Sequence, residues 1–343
     1  MSGFLVLEDG EVFPGESVGA EGFSFGEAVF ATAMTGYQEL ATDPSYSEQI
    51  LCFTAPMVGN YGTADDRSES RRAHVRGIVM REARGPAWTD WLAERGVVAL
   101  SGIDTRSLVL HLREQGSMRG GIVAGEASLE EMLAVVRTQP VMEGRALVDG
   151  VSTSEPYVHR ETGRARVAVV DYGCKRSILR CLDAAGAAVT VHPHDVEADE
   201  LASYEGVVLS NGPGDPEPLE REIATLRDLL GKVPVLGICL GHQLLALATG
   251  HRTYKLRFGH RGANHPVLER TSGRVLVTSQ NHGFAVEASE GQEASHVSLY
   301  DGTVEGLAYP ELRARSLQFH PEAGPGPHDG RPLLEGWVDS LAA

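Results

Sequence analysis

Apolar and polar positions follow different patterns in the two halves of the chain. Beyond about residue 165, continuous apolar runs alternate with segments in which apolar residues recur every three or four positions. The apolar runs are 167–173 (VAVVDYG), 206–210 (GVVLS) and 233–239 (VPVLGIC), and the helical patterns are 174–186 and 221–231. Both helical patterns end in glycine, a common C-terminal signal. Fully apolar strands separated by helices predict a parallel sheet that helices cover on both faces.

The first 150 residues consist of short β-like runs separated by glycine-rich turns, with helical patterns near 87–96 and 129–139. These features predict a mixed, strand-rich domain. Residues 151–165 (VSTSEPYVHRETGRA) are polar and show no apolar periodicity. We therefore expect an N-terminal domain over 1–150, a linker over 151–165 and a second domain over 166–343.

Composition and charge exclude several classes of function. The 343 residues are 42% hydrophobic and 22% charged, as in ordinary globular proteins, and the formal net charge is −17. This acidic balance argues against nucleic acid or an anionic membrane surface as a partner. No apolar run approaches the roughly 20 residues that span a bilayer, and we expect no secretory signal. The four cysteines show no C-x-x-C spacing, so we expect reduced thiols and a cytoplasmic protein.

One cysteine stands where a predicted strand meets a predicted helix. In VLGICLGHQ, Cys239 lies between Gly237 and Gly241, the pattern of a nucleophile elbow with Cys in place of Ser. We expect glycine at both positions because a side chain there would collide with the neighbouring strand and helix. The free N–H groups and the dipole of the new helix favour a thiolate. A small buried cysteine in a tight turn would give the same pentapeptide, so the pattern alone leaves both interpretations open.

A nucleophilic cysteine needs a base, and histidine is the usual one. Among thirteen histidines, His320 ends an apolar strand and precedes Pro321, which favours extended geometry. Residues two apart in an extended chain point to the same side, so we expect Glu322 to orient the imidazole of His320. The alternative is an ordinary strand exit. The cysteine elbow in the same chain favours the catalytic interpretation.

The loop at 210–216 (SNGPGDP) follows another predicted strand. Gly212 and Gly214 allow backbone N–H groups to approach a developing oxyanion, although a simple Gly-Pro turn is the alternative. No phosphate-binding loop pattern follows it. We expect no metal site, because the two histidines in 192–195 (HPHD) have no apparent third or fourth ligand.

Several segments resemble the class I (triad) glutamine amidotransferases: GICLGHQLLALATG, SNGPGDP, QNHGFAV and HPEAGPGPHD. Others in the first half resemble specifically the small, glutamine-hydrolysing subunit of carbamoyl-phosphate synthase: MTGYQELATDPSYS, GNYGT, GIDTR and REQG. The resemblance covers essentially the whole chain. It implies an α/β protein with a mixed-β N-terminal domain and a flavodoxin-like, parallel-sheet class I glutamine amidotransferase domain.

The resemblance also implies a role for each matching position. Cys239 would attack the carboxamide of L-glutamine, and His320, oriented by Glu322, would move the protons. The N–H groups of Gly212 and Leu240 would stabilise the tetrahedral oxyanion. The positions that match glutamine-binding residues of the family are Ser45, Gly214, Gln243, Asn281, Gly283 and Phe284. Of these, Ser45 would have to reach the site from the N-terminal domain.

In this family, ammonia passes to a large subunit that uses MgATP and bicarbonate to make carbamoyl phosphate for pyrimidine and arginine biosynthesis. The resemblance implies a heterodimer with that subunit, or a higher oligomer of it, and no cofactor in this chain. Two alternatives would differ from this family in their sequence. A subunit of another synthase, such as those that make anthranilate or GMP, would lack this N-terminal domain, and a catalytically silent scaffold would lack a member of the Cys-His-Glu set.

Overall fold

The computed structural model describes residues 2–288 and 294–342, which divide into two compact units. The first unit comprises the chain up to Met142 together with Arg257–Arg261. The second comprises Glu143–Leu256 and the chain from Gly262 onward. Among the described helices, none has the length and apolar character needed to cross a membrane.

The first unit is built on a closed barrel of seven strands. In chain order they are β1 (Ser2–Leu7), β2 (Val12–Ser17), β3 (Gly22–Ala31), β4 (Gln49–Phe53), β5 (Gly77–Val79), β6 (Val98–Ser101) and β7 (Met118–Ala124). The order around the barrel is β1-β2-β6-β5-β4-β3-β7, and β7 closes onto β1. Strands β3 to β6 pair in parallel and the remaining pairs are antiparallel. The predicted mixed, strand-rich character of this half is confirmed, whereas no pattern in the sequence indicates its closure into a barrel.

Four α-helices accompany the barrel: α1 (Tyr37–Thr42), α2 (Pro86–Glu94), α3 (Thr105–Gln115) and α4 (Leu129–Thr138). The sequence predicted α2 and α4. It did not predict α3, although Leu108 and Leu112 are one turn apart and completely buried. Asp104 caps this helix by accepting a 3.1 Å hydrogen bond from the N–H of Ser107, which ends the preceding strand-like segment and starts the helix.

The second unit contains a ten-stranded mixed sheet. Its strands are β8 (Tyr157–Arg160), β9 (Arg166–Asp171), β10 (Ala188–Pro193), β11 (Gly206–Leu209), β12 (Val235–Ile238), β13 (Thr253–Glu269), β14 (Val275–Val286), β15 (His296–Ser298), β16 (Val304–Tyr309) and β17 (Ala314–Leu317). The order is β14-β13-β15-β16-β17-β12-β11-β9-β10-β8. The strands β10-β9-β11-β12-β17 form the predicted parallel core.

Helices cover both faces of this parallel core. They are α5 (Arg176–Ala184), α6 (Ala198–Leu201), α7 (Glu220–Leu229), α8 (Leu240–Ala248) and α9 (Arg331–Leu341). Along β9, Ala168 and Val170 join the apolar cluster that includes α7 and α8, whereas Val167 and Val169 join the cluster that includes α5 and α9. Residues 167–170 are therefore all buried, alternately on the two faces, which explains their continuous apolar run.

Residues 151–165, predicted as a linker, contain strand β8, which pairs antiparallel with β10 at the edge of the sheet. The unit boundary lies at residues 142–143 rather than near 150. The segment gave no strand signal because the side chains of Tyr157 to His159 are exposed, so its pairing rests on backbone hydrogen bonds and leaves no apolar alternation to detect.

The parallel core determines where a site can form. Strands β9, β11, β12 and β17 run in one direction, so the segments that follow them leave the sheet at the same edge. Those segments contain the Cys239 turn, the 210–216 loop and His320. The carboxyl edge of a parallel sheet is where such folds bind ligands.

Candidate active site

Cys239 occupies a strained turn between β12 and α8. Its backbone has φ 54° and ψ −104°, a conformation that L-residues rarely adopt. The turn is held by the N–H of Cys239, which donates a 2.8 Å hydrogen bond to the carbonyl of Leu317 on the neighbouring strand. The thiol is buried and donates to the carbonyl oxygen of Asn281 at 3.6 Å.

The glycines on either side of Cys239 are required by the close approach of backbone. A Cβ atom on Gly237 would lie 2.5 Å from the carbonyl oxygen of Gly241, in the helix. A Cβ atom on Gly241 would lie 2.3 Å from the carbonyl oxygen of Leu209, in the adjacent strand. The predicted collisions with strand and helix are thus confirmed.

His320 and Glu322 form a buried hydrogen-bonded pair. The Nδ1 atom of His320 lies 2.7 Å from Oε1 of Glu322. The pair is made across a turn and not in an extended segment, since the N–H of Ala323 donates back to the carbonyl of His320 at 3.1 Å. The extended geometry that was expected after His320 is therefore wrong, although the two side chains do meet.

The charges around His320 raise its pKa. Burial and the charge of Lys175 lower the pKa of this imidazole, but the charge of Glu322 and the neighbouring Cys239 outweigh them and bring the pKa to about 10. The Nε2 atom makes no hydrogen bond of ordinary geometry to the part of the chain that the structure describes. Since Nδ1 is engaged by Glu322, Nε2 is the nitrogen left to exchange a proton with the thiol.

Lys175, which the sequence did not single out, completes this group. It lies just before α5, after the carboxyl end of β9, and is 2% exposed. Its Nζ atom donates to Oε1 of Glu322 at 3.0 Å and to the carbonyl of Ala323 at 2.7 Å. Burial raises the pKa of Glu322, but the positive charges of Lys175 and His320 more than offset this and lower it to about 2.

A signal for Lys175 was present in the sequence. A lysine directly follows the strand end VAVVDYGC, at the same predicted sheet edge as Cys239. A carboxylate that is to stay ionised while buried needs a cation beyond the histidine that it orients. That requirement would have pointed to a lysine or arginine at this edge.

Gly212 and Leu240, the two predicted oxyanion donors, lie next to each other. A Cβ atom on Gly212 would be 2.7 Å from Cδ2 of Leu240 and 2.3 Å from the carbonyl of Tyr172, so only glycine fits. Neither N–H donates a hydrogen bond within residues 2–288 and 294–342. For Leu240 this follows from its place as the first residue of α8.

The predicted glutamine-binding positions on α8 and β14 are also brought together. Gln243 is one turn after Cys239, and its Nε2 atom donates to the carbonyl of Phe284 at 2.9 Å. Asn281, whose carbonyl accepts from the Cys239 thiol, and Gly283 lie on the same stretch of β14. Helix α8 and this part of β14 therefore face each other at the nucleophile.

The other two predicted glutamine-binding positions, Gly214 and Ser45, lie outside α8 and β14. Gly214 has φ 91° and pairs with Ala146 through an isolated bridge. Ser45 belongs to the first unit, in a 3-10 turn at Pro44–Tyr46, where its N–H donates to the carboxylate of Asp43 at 2.9 Å. A contact between Ser45 and bound glutamine stays a prediction.

Comparison with known proteins identifies the family of each half. The family model "Glutamine amidotransferase class-I" matches residues 168–339. The model "Carbamoyl-phosphate synthase small chain, CPSase domain" matches residues 5–122.

Full-length relatives carry the same name, carbamoyl phosphate synthase small chain. The protein from Xanthomonas campestris pv. campestris is 46% identical over 365 residues, covering 98% of this chain and 97% of the relative. That from Syntrophotalea carbinolica is 46% identical over 368 residues, covering 99% and 98%. That from Pseudomonas aeruginosa is 45% identical over 369 residues, covering 98% of each chain. This chain therefore belongs to the carbamoyl-phosphate synthase small-chain family and carries a class I glutamine amidotransferase domain.

Proposed function

We propose that this chain hydrolyses L-glutamine through a covalent γ-glutamyl thioester on Cys239 and delivers the ammonia to the large subunit of a carbamoyl-phosphate synthase. Membership of the small-chain family supports the glutaminase role. The observation that carries the chemistry is the buried arrangement of Cys239, His320 and Glu322 at one edge of the parallel sheet.

The reaction follows from this arrangement in two halves. With its proton on Nε2 of His320, as the raised pKa of that imidazole favours, the Cys239 sulfur attacks the carboxamide carbon of glutamine. The resulting oxyanion accepts hydrogen bonds from the free N–H groups of Gly212 and Leu240. His320 returns the proton to the leaving nitrogen, the C–N bond breaks, and ammonia departs.

The thioester is then hydrolysed by water. His320 accepts a proton from the water molecule, whose oxygen attacks the thioester carbon. The C–S bond breaks, glutamate forms, and the proton on His320 returns to the sulfur. Glu322 stays ionised throughout and holds the imidazole by its Nδ1–H.

The same proposal states which steps this chain and the large subunit each carry out. This chain uses no cofactor, and the large subunit consumes MgATP and combines the ammonia with bicarbonate to give carbamoyl phosphate. The two chains form a heterodimer, or a higher oligomer of it, in the cytoplasm. This proposal includes the predicted glutamine contacts, which are those of Ser45, Gly214, Gln243, Asn281, Gly283 and Phe284.

The test compares two nitrogen sources in the reconstituted complex of this chain with its large subunit. With bicarbonate and MgATP, the wild-type complex should make carbamoyl phosphate from glutamine and from ammonia. With Cys239→Ser we expect synthesis from ammonia alone, because the acceptor chemistry lies in the other chain. Glutamine-dependent synthesis by Cys239→Ser would contradict the assignment of the nucleophile. Glutamate release that is indifferent to the large subunit would contradict the coupling.

A further inference from the structure

Gln318 is a buried amide beside the candidate active site that the proposed mechanism does not use. It follows β17 directly, two residues before His320, and is completely buried. Its Oε1 atom accepts a 3.1 Å hydrogen bond from Nε2 of Gln243. Its own Nε2 atom has no partner among the residues that the structure describes. The hydrogen bond to Gln243 is therefore what the Gln318 side chain contributes.

Gln243 is held at two points, and these fix which end of its amide is free. Its Nε2 atom donates to the carbonyl of Phe284 and to Oε1 of Gln318. A carbonyl only accepts, so Nε2 and not Oε1 must face Phe284. With both amide hydrogens engaged, Oε1 of Gln243 is left as an acceptor, and it makes no hydrogen bond within the described ranges.

The nucleophile and the Gln243 amide contact the same stretch of β14. The Cys239 thiol donates to the carbonyl of Asn281, and Nε2 of Gln243 donates to the carbonyl of Phe284, three residues farther along the strand. Three residues of a strand span about 10 Å. In an extended glutamine, the carboxamide carbon and the α-nitrogen are four bonds, or about 5 Å, apart, and a contact of about 3 Å at each end brings the total to about 11 Å. A substrate whose carboxamide carbon meets the Cys239 sulfur therefore has the length to bring its α-ammonium to the Gln243 amide.

We propose that Gln318 is a positioning residue for substrate recognition: it holds the amide of Gln243 so that Oε1 accepts from the α-ammonium of glutamine. This inference rests on the proposed glutaminase function. Without the acceptor on Gln318, one hydrogen of the Gln243 amide loses its partner and the amide is free to rotate away. The chemistry at Cys239 does not depend on this bond, so the effect falls on substrate affinity.

The first experiment measures glutamine hydrolysis by the complex with the large subunit. For Gln318→Met, which keeps the length of the side chain and removes the acceptor, we expect KM for glutamine to rise about tenfold with kcat within about twofold, as for loss of one buried hydrogen bond. The control is Thr249→Val, which removes a hydroxyl from the other end of α8 that bonds Tyr309 at 2.8 Å. This control should leave KM unchanged.

Two further measurements separate positioning from a general structural effect. If Gln318 acts through Gln243, Gln318→Met added to Gln243→Met changes KM no further, whereas additive effects would overturn the proposal. Glutaramate, which is glutamine without the α-amino group, should lose no efficiency in Gln318→Met. An equal loss for glutaramate and glutamine would also overturn it.

The outcomes distinguish this proposal from the function on which it rests. If wild type hydrolyses glutamine and Gln318→Met has an unchanged KM, then Gln318 does not position the Gln243 amide, whereas the glutaminase function stands. If wild type releases no glutamate, the proposed function itself fails. Should Gln318→Met not fold, Gln318→Leu, which also removes the acceptor without adding a charge, takes its place and should raise KM about tenfold. A KM for Gln318→Leu within about twofold of wild type would then contradict the role of the acceptor.

Discussion

Replacing Lys175 by Met tests whether its ammonium group keeps Glu322 ionised and in place. Nζ lies 3.0 Å from Oε1 of Glu322, and the side chains are 2% and 0% exposed. At this separation and an effective dielectric constant of about 20, the attraction is about 5 kcal/mol, which desolvation of the ammonium partly offsets. Removing one member of a buried pair leaves the other charge unpaired and typically costs about 3–5 kcal/mol. We expect a loss of stability of that size.

The assay is thermal unfolding at pH 7, compared with a lysine whose ion pair is exposed. A domain of this size loses about 2–4 °C per kcal/mol, so Lys175→Met should lower the melting temperature by about 6 °C or more. In the control Lys232→Met, the partner Asp199 lies 3.5 Å away, with side chains 48% and 99% exposed. Such surface pairs contribute at most about 1 kcal/mol. Equal melting temperatures for the two variants would refute the reasoning.

The pH dependence identifies the cause of the loss. The attraction of Lys175 helps to lower the pKa of Glu322 from 4.5 to about 2. A carboxyl group with a lowered folded-state pKa stabilises the protein above pH 4.5, and the stabilisation disappears as the pH falls through about 2. The melting temperatures of wild type and Lys175→Met should therefore differ most above pH 4.5 and converge below it. A gap that does not depend on pH would point to packing of the lysine stem.

Three other variants test the site. Gly241→Ala should abolish glutamine hydrolysis and destabilise the protein by about 1–3 kcal/mol, because its Cβ would meet the carbonyl of Leu209 at 2.3 Å. The control is Gly336→Ala in α9, where a Cβ meets nothing within 4 Å. In thermal unfolding, this control should stabilise the protein by about 0.5–1 kcal/mol. Ser45→Ala should raise KM for glutamine at constant kcat, and an unchanged KM would contradict the predicted cross-domain contact. The pKa of His320 is raised from 6.5 to about 10, so His320→Gln should lose most stability below pH 6.5 and match wild type as the pH rises through about 10.

The parallel core of the second unit was largely predictable because its central strands carry their own signal. A strand buried on both faces must be apolar throughout, and the helices between such strands end at glycines. The antiparallel strands on the other side of β17 gave no such signal. Strand β13 mixes exposed, half-buried and buried positions over seventeen residues, so its sequence shows neither a continuous apolar run nor regular alternation.

The site was predictable where local geometry dictates the residue, and not where a distant segment supplies it. The two glycines beside Cys239 could be predicted from local geometry, because Cβ atoms at Gly237 and Gly241 would collide with backbone atoms of the adjacent helix and strand. Lys175 is 147 residues from Glu322 in sequence, and Gln318 is 75 residues from Gln243. Such pairs become visible only when parallel strands bring their ends to one edge.

The position of Lys175 also explains how a buried triad can move a proton. With Lys175 and Glu322 ionised, their charges cancel, and transfer of a proton from Cys239 to His320 creates one positive and one negative charge without changing the total. Without the ammonium, an ionised Glu322 would give the buried site a net negative charge before and after the transfer, which burial strongly opposes, so the carboxyl group would favour its protonated form. The lysine therefore keeps Glu322 ionised, and the ionised Glu322 stabilises the imidazolium that the transfer creates. In the proposed mechanism, this allows His320 to take the proton of the thiol and later to give it to the departing ammonia.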